Sequence, residues 1–383
     1  MFLLLLVYLV FIGVGLPDSL LGTAWPFMVG EFGVSVDSAG ILSMAISAGI
    51  IVASLTAYRL TRRFGLGRAA AVGLALMTVA LSGYALSGSL WGALAFSFPL
   101  GFGSGLLQTI FNDFVAEHYT ARHMSWLHGA WGIGAVSGPL LVAAFSKTSV
   151  GWQGGYWSVA VVECCLVAAI LVSMSRWPKA QPVARSEKAS VGSPALHGKL
   201  CMIGQFFLYC SMENSIMLWG ASYLIGAKGI DAATAAQGVS LFFLGITAGR
   251  FLGGIAAGKI GNAKMIFFSV TASVVLDAAL FCVTEKTLIL GVFLLLGCSM
   301  APIYPAMLHQ TPSFFPGENL QLLMGVQVAS AYTGILIMPP LLGKLFSLLS
   351  FRLLPMVQAI CLLGVLLCVT VLRRRSESAQ KIR

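Results

Sequence analysis

Charged residues are scarce in this chain. Only 9% of its 383 residues are Asp, Glu, Lys or Arg, just 13 are acidic, and 58% are hydrophobic. A soluble domain normally carries about 25% charged residues. This scarcity leaves no room for a soluble domain. The net charge of +10 lies mostly between apolar segments, so it gives no basis for nucleic-acid binding.

Patterned sites for metals, nucleotides and covalent catalysis are also missing. The eight cysteines lie in apolar segments with no C-x-x-C or Cys/His spacing, which favours a role as small packing residues. No phosphate loop, zinc spacing or nucleophile–base set stands out. We therefore expect no cofactor, no metal and no enzymatic activity.

Long apolar runs are abundant, and they predict an all-α membrane protein with twelve transmembrane helices. A helix needs about 17–25 residues to cross a bilayer. The first run starts at Met1 without a basic leader or cleavage site, which indicates a retained helix rather than a signal peptide. The predicted spans are 3–29, 38–58, 69–87, 91–115, 123–145, 153–174, 200–225, 236–257, 264–282, 288–309, 320–345 and 353–372.

The distribution of Lys and Arg predicts the topology, because cytoplasmic loops are enriched in both. With both termini inside the cell, the inner segments hold seventeen of the 23 basic residues, including Arg59, Arg122 and Lys264. The outer loops hold four, at 147, 228, 286 and 352. We therefore expect a multi-pass protein of the cell membrane with cytoplasmic termini.

The longest polar stretch, 175–199, reads SRWPKAQPVARSEKASVGSPALHGK. No apolar face runs through it at helix or strand spacing, which indicates a solvated linker. It separates a predicted six-helix bundle at 1–174 from a second at 200–372, followed by a cytoplasmic tail at 373–383.

An internal repeat relates the two predicted bundles. A shift of 196 residues places Gly49 on Gly245, and the same offset aligns Asp18 with Asn214. Each bundle has an even number of helices, so both copies have the same orientation, as in two-bundle transporters. Further glycines coincide at 65 and 261, 101 and 297, 129 and 325, and 138 and 334.

Several segments resemble the major facilitator superfamily, and more narrowly its fucose-permease-like branch of sugar transporters. They are GLPDSLLGTAWP in the first helix, GLLQTIFNDF in the fourth, LHGAWGIGAVSGPLL in the fifth, YCSMENSIMLWGASYL in the seventh and APIYPAMLHQTP in the tenth. The resemblance implies two six-helix bundles, alternating access and sugar–proton symport. It matches Asp18 to the branch's first-helix acid, implicated in proton coupling, and Asn112 to a family Asn. Tyr58 and Arg62 depart from the family's loop motif, which puts its usual ion pair in doubt.

Ionisable groups inside the spans are candidates for coupling, because charge there is costly. Asp18 lies about 15 residues into the first helix, and Trp25 is seven residues further, on the same face of a regular helix. Asp113 and Glu213 are second candidates for proton coupling. The structural alternative for Asp18 and Glu213 is a hydrogen bond to a neighbouring helix, and for Asp113 it is an acid that reaches the membrane surface from the helix end.

Aromatic and imidazole side chains give candidates for substrate contact. His128 and Trp131 are three residues apart on the fifth helix, hence on one face, and His128 can also serve as a structural hydrogen-bonding group. On the seventh helix Trp219 and Tyr223 share a face. Glu213, earlier on the same helix, points about 120° away from Trp219 if the helix is regular. Either this helix is broken, or Glu213 bonds a neighbour while Trp219 faces a cavity.

The repeat provides a second filter for substrate-binding residues. Gln108 maps to Tyr304 and Trp131 maps to Gln327, and these positions are polar or aromatic within apolar surroundings. Gln108 stands where the fucose permease has Glu, so it can hydrogen-bond but cannot titrate. Amides with aromatic rings suit a neutral polyhydroxyl ligand, since rings cover C–H faces.

Arg250 lies deep in the eighth helix and needs a partner, for which Glu213, Asp277 or helix-end carbonyls are available. We interpret Arg250 as part of a structural ion pair. Glu163 and Asp277 lie on the sixth and ninth helices, which are peripheral in the superfamily, and the sequence gives no role for them.

These features predict a secondary transporter, acting as a monomer in the lipid bilayer, for a small polar solute. A monosaccharide with proton symport is favoured, and sodium is the alternative coupling ion. A proton-coupled exporter of drugs or amphipathic metabolites is an alternative, since a cationic substrate and a proton could compete for the Asp18 carboxylate. A non-transporting receptor or scaffold is a second rival, and a channel is disfavoured because no ring of pore-lining residues repeats.

Overall fold

The computed structural model describes residues 2–34, 38–146, 148–178, 196–315 and 318–381. Within these ranges the regular structure is helical. The helices are α1 Phe2–Asp18, α2 Leu20–Phe32, α3 Ala39–Phe64, α4 Leu66–Leu86, α5 Leu90–His118, α6 Ala121–Phe145, α7 Gln153–Val172, α8 Leu196–Lys228, α9 Ala232–Ile260, α10 Asn262–Cys282, α11 Lys286–Met300, α12 Ile303–Phe314, α13 Leu320–Leu348 and α14 Leu354–Lys381.

Among the described residues, 11 stretches are long and apolar enough to cross a membrane. They cover every predicted span except the seventh. That span lies in α8, which has 33 residues and so extends about 50 Å at 1.5 Å per residue. The all-α membrane fold predicted from the apolar runs is confirmed.

Two predicted spans are divided into two helices each. The first, 3–29, is broken at Ser19 between α1 and α2, and the tenth, 288–309, is broken at 301–302 between α11 and α12. Pro17 and Pro302 lie beside the breaks, and proline lacks the N–H that a helix interior requires. Counting apolar residues finds the spans but misses these interruptions.

Most of the predicted linker lies outside the described residues, which resume at 196. α8 begins there, within the range predicted as linker, and α14 continues to Lys381 beyond the predicted end of its span.

The chain forms two compact units. Unit 1 comprises Met1–Phe114, Ala130–Lys188 and Gln321–Ala329, and unit 2 comprises Val115–Gly129, Ala189–Leu320 and Ser330–Arg383. Each unit therefore includes a short segment from the other half of the sequence. In unit 1 the amide of Gln321 donates to Thr61 Oγ1 at 3.0 Å, and in unit 2 the Trp126 indole donates to the Phe251 carbonyl at 3.3 Å.

The sequence repeat corresponds to equivalent packing within each unit. In unit 1 a Cβ added at Gly49 would meet the Phe98 carbonyl, and in unit 2 a Cβ added at Gly245 would meet the Leu294 carbonyl. Both residues of the second contact lie 196 positions after those of the first. Glycine thus lets α3 and α5 approach as closely as α9 and α11 do. The repeated glycines reflect repeated helix crossings.

A second repeated pair of glycines forms turns. Gly65 joins α3 to α4 with φ of 83°, and Gly261 joins α9 to α10 with φ of 79°. A residue with a side chain is strained in this region of backbone space. Both sharp connections therefore depend on glycine.

Candidate functional site

Asp18 lies at the break in the first span. It is the last residue of α1, and the next residue, Ser19, precedes α2. The Ser19 hydroxyl donates to the Ala135 carbonyl of α6 at 2.7 Å, which ties the break to the neighbouring helix. The Asp18 side chain is exposed. The carboxyl thus sits at an interruption in the helix, where it is open to a ligand.

Trp131 of α6 supplies a hydrogen bond to this carboxyl. Its indole Nε1 donates to Asp18 Oδ2 at 2.8 Å. The two helices approach closely because Gly15 has no side chain, since a Cβ there would collide with the Trp131 carbonyl. No Lys, Arg or His of the described residues lies within ion-pair distance of Asp18. We call Asp18 with Trp131 the carboxyl–indole pair.

α5 brings three further candidates into unit 1. The Gln108 amide donates to Ser104 Oγ at 3.0 Å, and Asp113 is half-buried near the helix end. Asn112 is fully buried, and within the described part of the chain its amide oxygen and nitrogen make no hydrogen bond. Buried polar groups are normally paired with protein or water, so the Asn112 amide has hydrogen-bonding capacity that no described residue uses.

Unit 2 holds a buried ion pair. Nη2 of Arg250 on α9 lies 3.1 Å from Oε1 of Glu213 on α8, and the side chains are 5% and 12% exposed. α8 is continuous through this position, so the alternative of a broken seventh helix is wrong. Glu213 instead bonds a neighbouring helix.

The ion pair belongs to a larger buried cluster. Nη1 of Arg250 also approaches the His128 carbonyl at 3.4 Å. The His128 ring packs edge-on against Tyr304 at 5.0 Å, and Tyr304 also contacts Phe206 at 5.3 Å. All three of these rings are buried. We call Glu213, Arg250, His128 and Tyr304 the buried cluster.

Trp219 and Tyr223 donate to backbone carbonyls within unit 2. The Trp219 indole bonds the Pro339 carbonyl at 2.7 Å, and its ring lies where a Cβ at Gly343 would collide. The Tyr223 hydroxyl donates to the Leu280 carbonyl at 3.2 Å, and Tyr223 is buried. Both side chains hold helices together, although Trp219 keeps some exposed surface.

Trp25 does not share the surroundings of Asp18. It is 6% exposed, whereas Asp18 is exposed. The break at Ser19 lies between the two residues, and a shared face stays a prediction. Gln327 on α13 is fully buried in unit 1.

Each unit also buries a carboxyl group that makes no hydrogen bond to any described residue: Glu163 on α7 in unit 1 and Asp277 on α10 in unit 2. Glu163 Oε1 occupies the space beside Gly13, 2.9 Å from where a Cβ on that glycine would lie. Burying a polar group without a partner is costly, and nothing in their surroundings shows what offsets it.

The geometry of the carboxyl–indole pair permits ligand exchange. An exposed carboxyl held by one indole can accept a hydrogen bond from a ligand hydroxyl or take up a proton. The buried cluster is enclosed and holds its charges together. Among the described residues, no group of three His, Cys, Asp or Glu side chains is arranged to hold a metal.

Sequence reasoning missed several partners. Ser19, Ser104 and Phe206 were not singled out, although each contacts a candidate residue. Ser104 lies four residues before Gln108, a spacing that places side chains together on a helix. Ser19 beside Pro17 and Asp18 was the local signal for the helix break.

Comparison with known proteins gives matches over nearly the whole chain. The family model of the Major Facilitator Superfamily matches residues 7–198 and 201–383. The glucose/mannose transporter GlcP of Bacillus subtilis is 26% identical over 313 residues, which are 78% of this chain and 77% of GlcP.

Solved structures share the fold at low sequence identity. FucP, the Escherichia coli fucose:proton symporter, in the outward conformation, has a TM-score of 0.78 at 15% identity, covering 96% of this chain and 98% of FucP. The human organic anion transporter MFSD10 has a TM-score of 0.79 at 13% identity, with coverage of 96% and 98%. At these identities the likeness shows the fold and leaves the solute open.

Proposed function

The chain belongs to the major facilitator superfamily, and from this premise we propose that it is a sugar transporter that moves a monosaccharide together with a proton. The family consists of membrane carriers rather than enzymes. The observation that carries the proposal is the carboxyl–indole pair, in which an exposed Asp18 accepts a hydrogen bond from Trp131.

A neutral, hydroxyl-rich solute fits the polar groups of unit 1. The candidate residues of unit 1 offer a carboxylate, an indole and two amides, at Asp18, Trp131, Gln108 and Asn112. Carboxylates and amides exchange hydrogen bonds with hydroxyls, and an indole face covers the C–H surface of a sugar ring. An organic anion would need a cation to balance its charge, and no described cation pairs with Asp18. The similarity to GlcP supports the same solute class.

Proton coupling follows from the position of Asp18. A charged carboxylate inside a membrane is expensive once water withdraws, so the carrier changes conformation most easily when a proton neutralises it. Water reaching the exposed carboxyl allows the proton to leave. Trp131 holds the carboxyl in place in either form, because its N–H can donate to an oxygen of both.

We further propose a monomer in the cell membrane with both termini in the cytoplasm. Support comes from the basic residues of the predicted inner segments, which include Arg62 and Arg63 at the end of α3 and Arg373 and Arg374 near the end of α14. The linker would then lie in the cytoplasm.

Uptake by proteoliposomes tests the coupling. Asp18→Asn keeps the size of the side chain and an acceptor for Trp131 but cannot titrate. The variant should exchange sugar across the membrane at equilibrium and should not concentrate it when a pH gradient is applied. Asp231→Asn, the same change in an exposed connecting segment, is the matched control and should accumulate sugar normally.

Accumulation by Asp18→Asn at the wild-type level would show that Asp18 is not the coupling residue. Glu213→Gln and Asp113→Asn would then be tested, with sodium replacing the proton gradient. The solute class is tested separately with purified protein, because a ligand that binds the folded state raises its melting temperature. Stabilisation by amines or carboxylic acids, with none by sugars, would overturn the sugar proposal.

A further inference from the structure

Three helices meet in unit 1 around Thr109 of α5. α5 packs closely on α3, since a Cβ added at Gly105 would meet the Ile50 carbonyl. Thr109 and Ser54 each follow this contact by four residues, about one turn further along both helices. α13 joins them through Gly325, where an added Cβ would meet the Ser54 carbonyl and lie 3.7 Å from Cγ2 of Thr109. We call Ser54, Thr109 and Gly325 the α3/α5/α13 junction.

The hydroxyl of Thr109 is unsatisfied in this junction. Thr109 is fully buried, and its Oγ1 makes no hydrogen bond to any described residue. A threonine in a helix can bond the carbonyl four residues before it, as Thr78 does with Leu74 at 2.9 Å. Asn112, three residues after Thr109 and on the same face of α5, also leaves its amide without a hydrogen bond. Such groups are costly to bury, so water would satisfy them if α13 withdrew.

The same shift of 196 residues defines a matching junction in unit 2, which we call the α6/α9/α12 junction. Its residues are Gly129 on α6, Arg250 on α9 and Pro305 on α12. Nη1 of Arg250 donates to the His128 carbonyl of α6 at 3.4 Å, so a charged group bonds across this junction. Pro305 is buried and has no hydroxyl. In unit 1 the Ser54 hydroxyl instead bonds the Ile50 carbonyl of its own helix at 2.8 Å.

Each junction has one further hydrogen bond close by. In unit 1 the Gln321 amide of α13 donates to Thr61 of α3 at 3.0 Å, and in unit 2 the Trp126 indole of α6 donates to the Phe251 carbonyl of α9 at 3.3 Å. These bonds are of the same kind, one side-chain N–H in each unit. The difference therefore lies in the junctions themselves, one of which is bonded across while the other buries unsatisfied groups.

We propose that the α3/α5/α13 junction is a contact poised to open, and that Thr109 sets how readily α13 withdraws from α5. The inference rests on the proposed transport function, because in alternating access one repeat moves against the other. α13 belongs to the second sequence repeat, whereas α3 and α5 belong to the first. Hydration of the Thr109 hydroxyl and the Asn112 amide offsets part of the packing that is lost on opening. The α6/α9/α12 junction, which Arg250 bonds, opens less readily.

Maleimide labelling of a buried cysteine tests the proposal in the purified full-length protein, in detergent and without sugar. Leu323→Cys on α13 and Leu127→Cys on α6 are matched reporters, because both leucines are buried and occupy equivalent positions of the repeat. Mass spectrometry of the labelled peptides reads each position separately, so the eight native cysteines can remain. Position 323 should be labelled faster than position 127.

Thr109→Val keeps the shape of the side chain and removes the hydroxyl. It should slow labelling at position 323 by about tenfold, the scale of one unsatisfied buried polar group, and leave labelling at position 127 unchanged. Thr109→Ser retains a hydroxyl and should be labelled at the wild-type rate. Thr78→Val is a second control, because the hydroxyl that it removes already has a partner, and it should not slow labelling.

The two glycines provide a test in the opposite direction. Gly325→Ala places a Cβ against the Ser54 carbonyl, so it should raise labelling at position 323. Gly129→Ala, the equivalent change in unit 2, places a Cβ against the Phe251 ring and should act at position 127 instead. Thermal unfolding checks the folding of every variant. Should a glycine variant fail to fold, the comparison of Thr109→Val with Thr109→Ser carries the test.

Three outcomes would overturn the proposal. One is labelling at position 323 that is no faster than at position 127. Another is equal slowing at both positions in Thr109→Val, which would show a general gain in stability. The third is identical labelling of Thr109→Val and Thr109→Ser. Sugar exchange in proteoliposomes should slow in Thr109→Val and not in Thr109→Ser. If labelling responds as expected but the wild type exchanges no sugar, the junction is supported and the proposed function fails.

Discussion

The two units place carboxyl groups one residue apart in the repeat in opposite surroundings. Asp18 of unit 1 aligns with Asn214 of unit 2, the neighbour of Glu213. Asp18 is exposed and held by one neutral indole, whereas Glu213 is buried and paired with Arg250. Similar positions in sequence therefore have different surroundings.

Because of this difference, Asp18 can gain or lose a proton at little cost, whereas Glu213 cannot. Protonating Glu213 would leave Arg250 as an uncompensated charge in a buried site, which is strongly unfavourable. Protonating Asp18 leaves no cation unpaired among the described residues, because none forms an ion pair with it. Of these two predicted coupling residues, Asp18 has surroundings that suit a proton cycle, and Glu213 suits the structural role.

Breaking the buried pair should have the largest effect. We expect Glu213→Ala to lower the free energy of unfolding by about 3–5 kcal/mol, the usual cost of leaving a buried charge unpaired. Unfolding in mixed detergent micelles measures it. Arg250→Met in the Glu213→Ala background should recover much of the loss, because both charges are then absent.

Asn214→Ala is the control for this experiment, since Asn214 is the adjacent residue and its amide bonds only the Cys210 carbonyl of its own helix. A loss no greater than that of the control would mean that Arg250 finds another partner, and the contrast between the units would fail.

Glu163 tests whether a buried carboxyl in unit 1 is tolerated without a partner. Because no described group bonds its oxygens, Glu163→Leu should raise the free energy of unfolding by about 1–3 kcal/mol, the cost of an unsatisfied buried polar group. Glu163→Gln retains a polar group and should change stability less. Destabilisation by Leu would instead reveal a partner for the carboxyl, and loss of accumulation in both variants would make Glu163 a second coupling candidate.

The sequence predicts the helical architecture well because span length and repeated glycines are local signals. Gly49 and Gly245 mark equivalent crossings, and every predicted span except the two divided ones falls on a single helix. It predicts the site less well. The break at Ser19 is not evident from the spacing of apolar residues, and the partner of Asp18 lies on a helix more than 100 residues away. Such pairings depend on packing between helices, which periodicity does not encode.

The tryptophans of the two units allow a finer comparison. Trp131 donates to a side-chain carboxylate and Trp219 to a backbone carbonyl. A double-mutant cycle of Trp131→Phe with Asp18→Asn should give a coupling energy of about 0.5–1.5 kcal/mol, and Trp131→Phe should weaken sugar binding.

Trp219→Phe serves as the matched change in unit 2. It should lower stability by about 1 kcal/mol through the lost bond to Pro339 and leave sugar affinity unaltered in a binding titration. If Trp219→Phe weakened sugar binding and Trp131→Phe did not, the substrate would contact unit 2, and our placement of the site in unit 1 would be wrong.

The smallest effect is expected at Asp231, a carboxylate outside the membrane spans. It accepts hydrogen bonds from Lys286 at 2.9 Å and from the backbone N–H of Thr234 at 3.0 Å, and these interactions hold the pKa of Asp231 below its usual value. A lowered pKa in the folded state contributes stability that is complete above the unfolded pKa of about 3.9 and is lost as the pH falls towards the folded value.

Asp231→Asn should therefore reduce stability slightly at neutral pH, because an amide caps α9 without pairing with Lys286. The difference from wild type should shrink below about pH 4, because the carboxyl of the unfolded wild-type chain then takes up a proton while the folded one stays ionised to lower pH. Thermal unfolding across pH 3–7 measures this, with high salt as a further condition, since salt screens an exposed pair. A difference that grows on acidification would show that Asp231 does not follow the behaviour of a solvated, paired carboxylate. Its contrast with Asp18, which pairs with no cation among the described residues and accepts a hydrogen bond from the Trp131 indole, would then lose its basis.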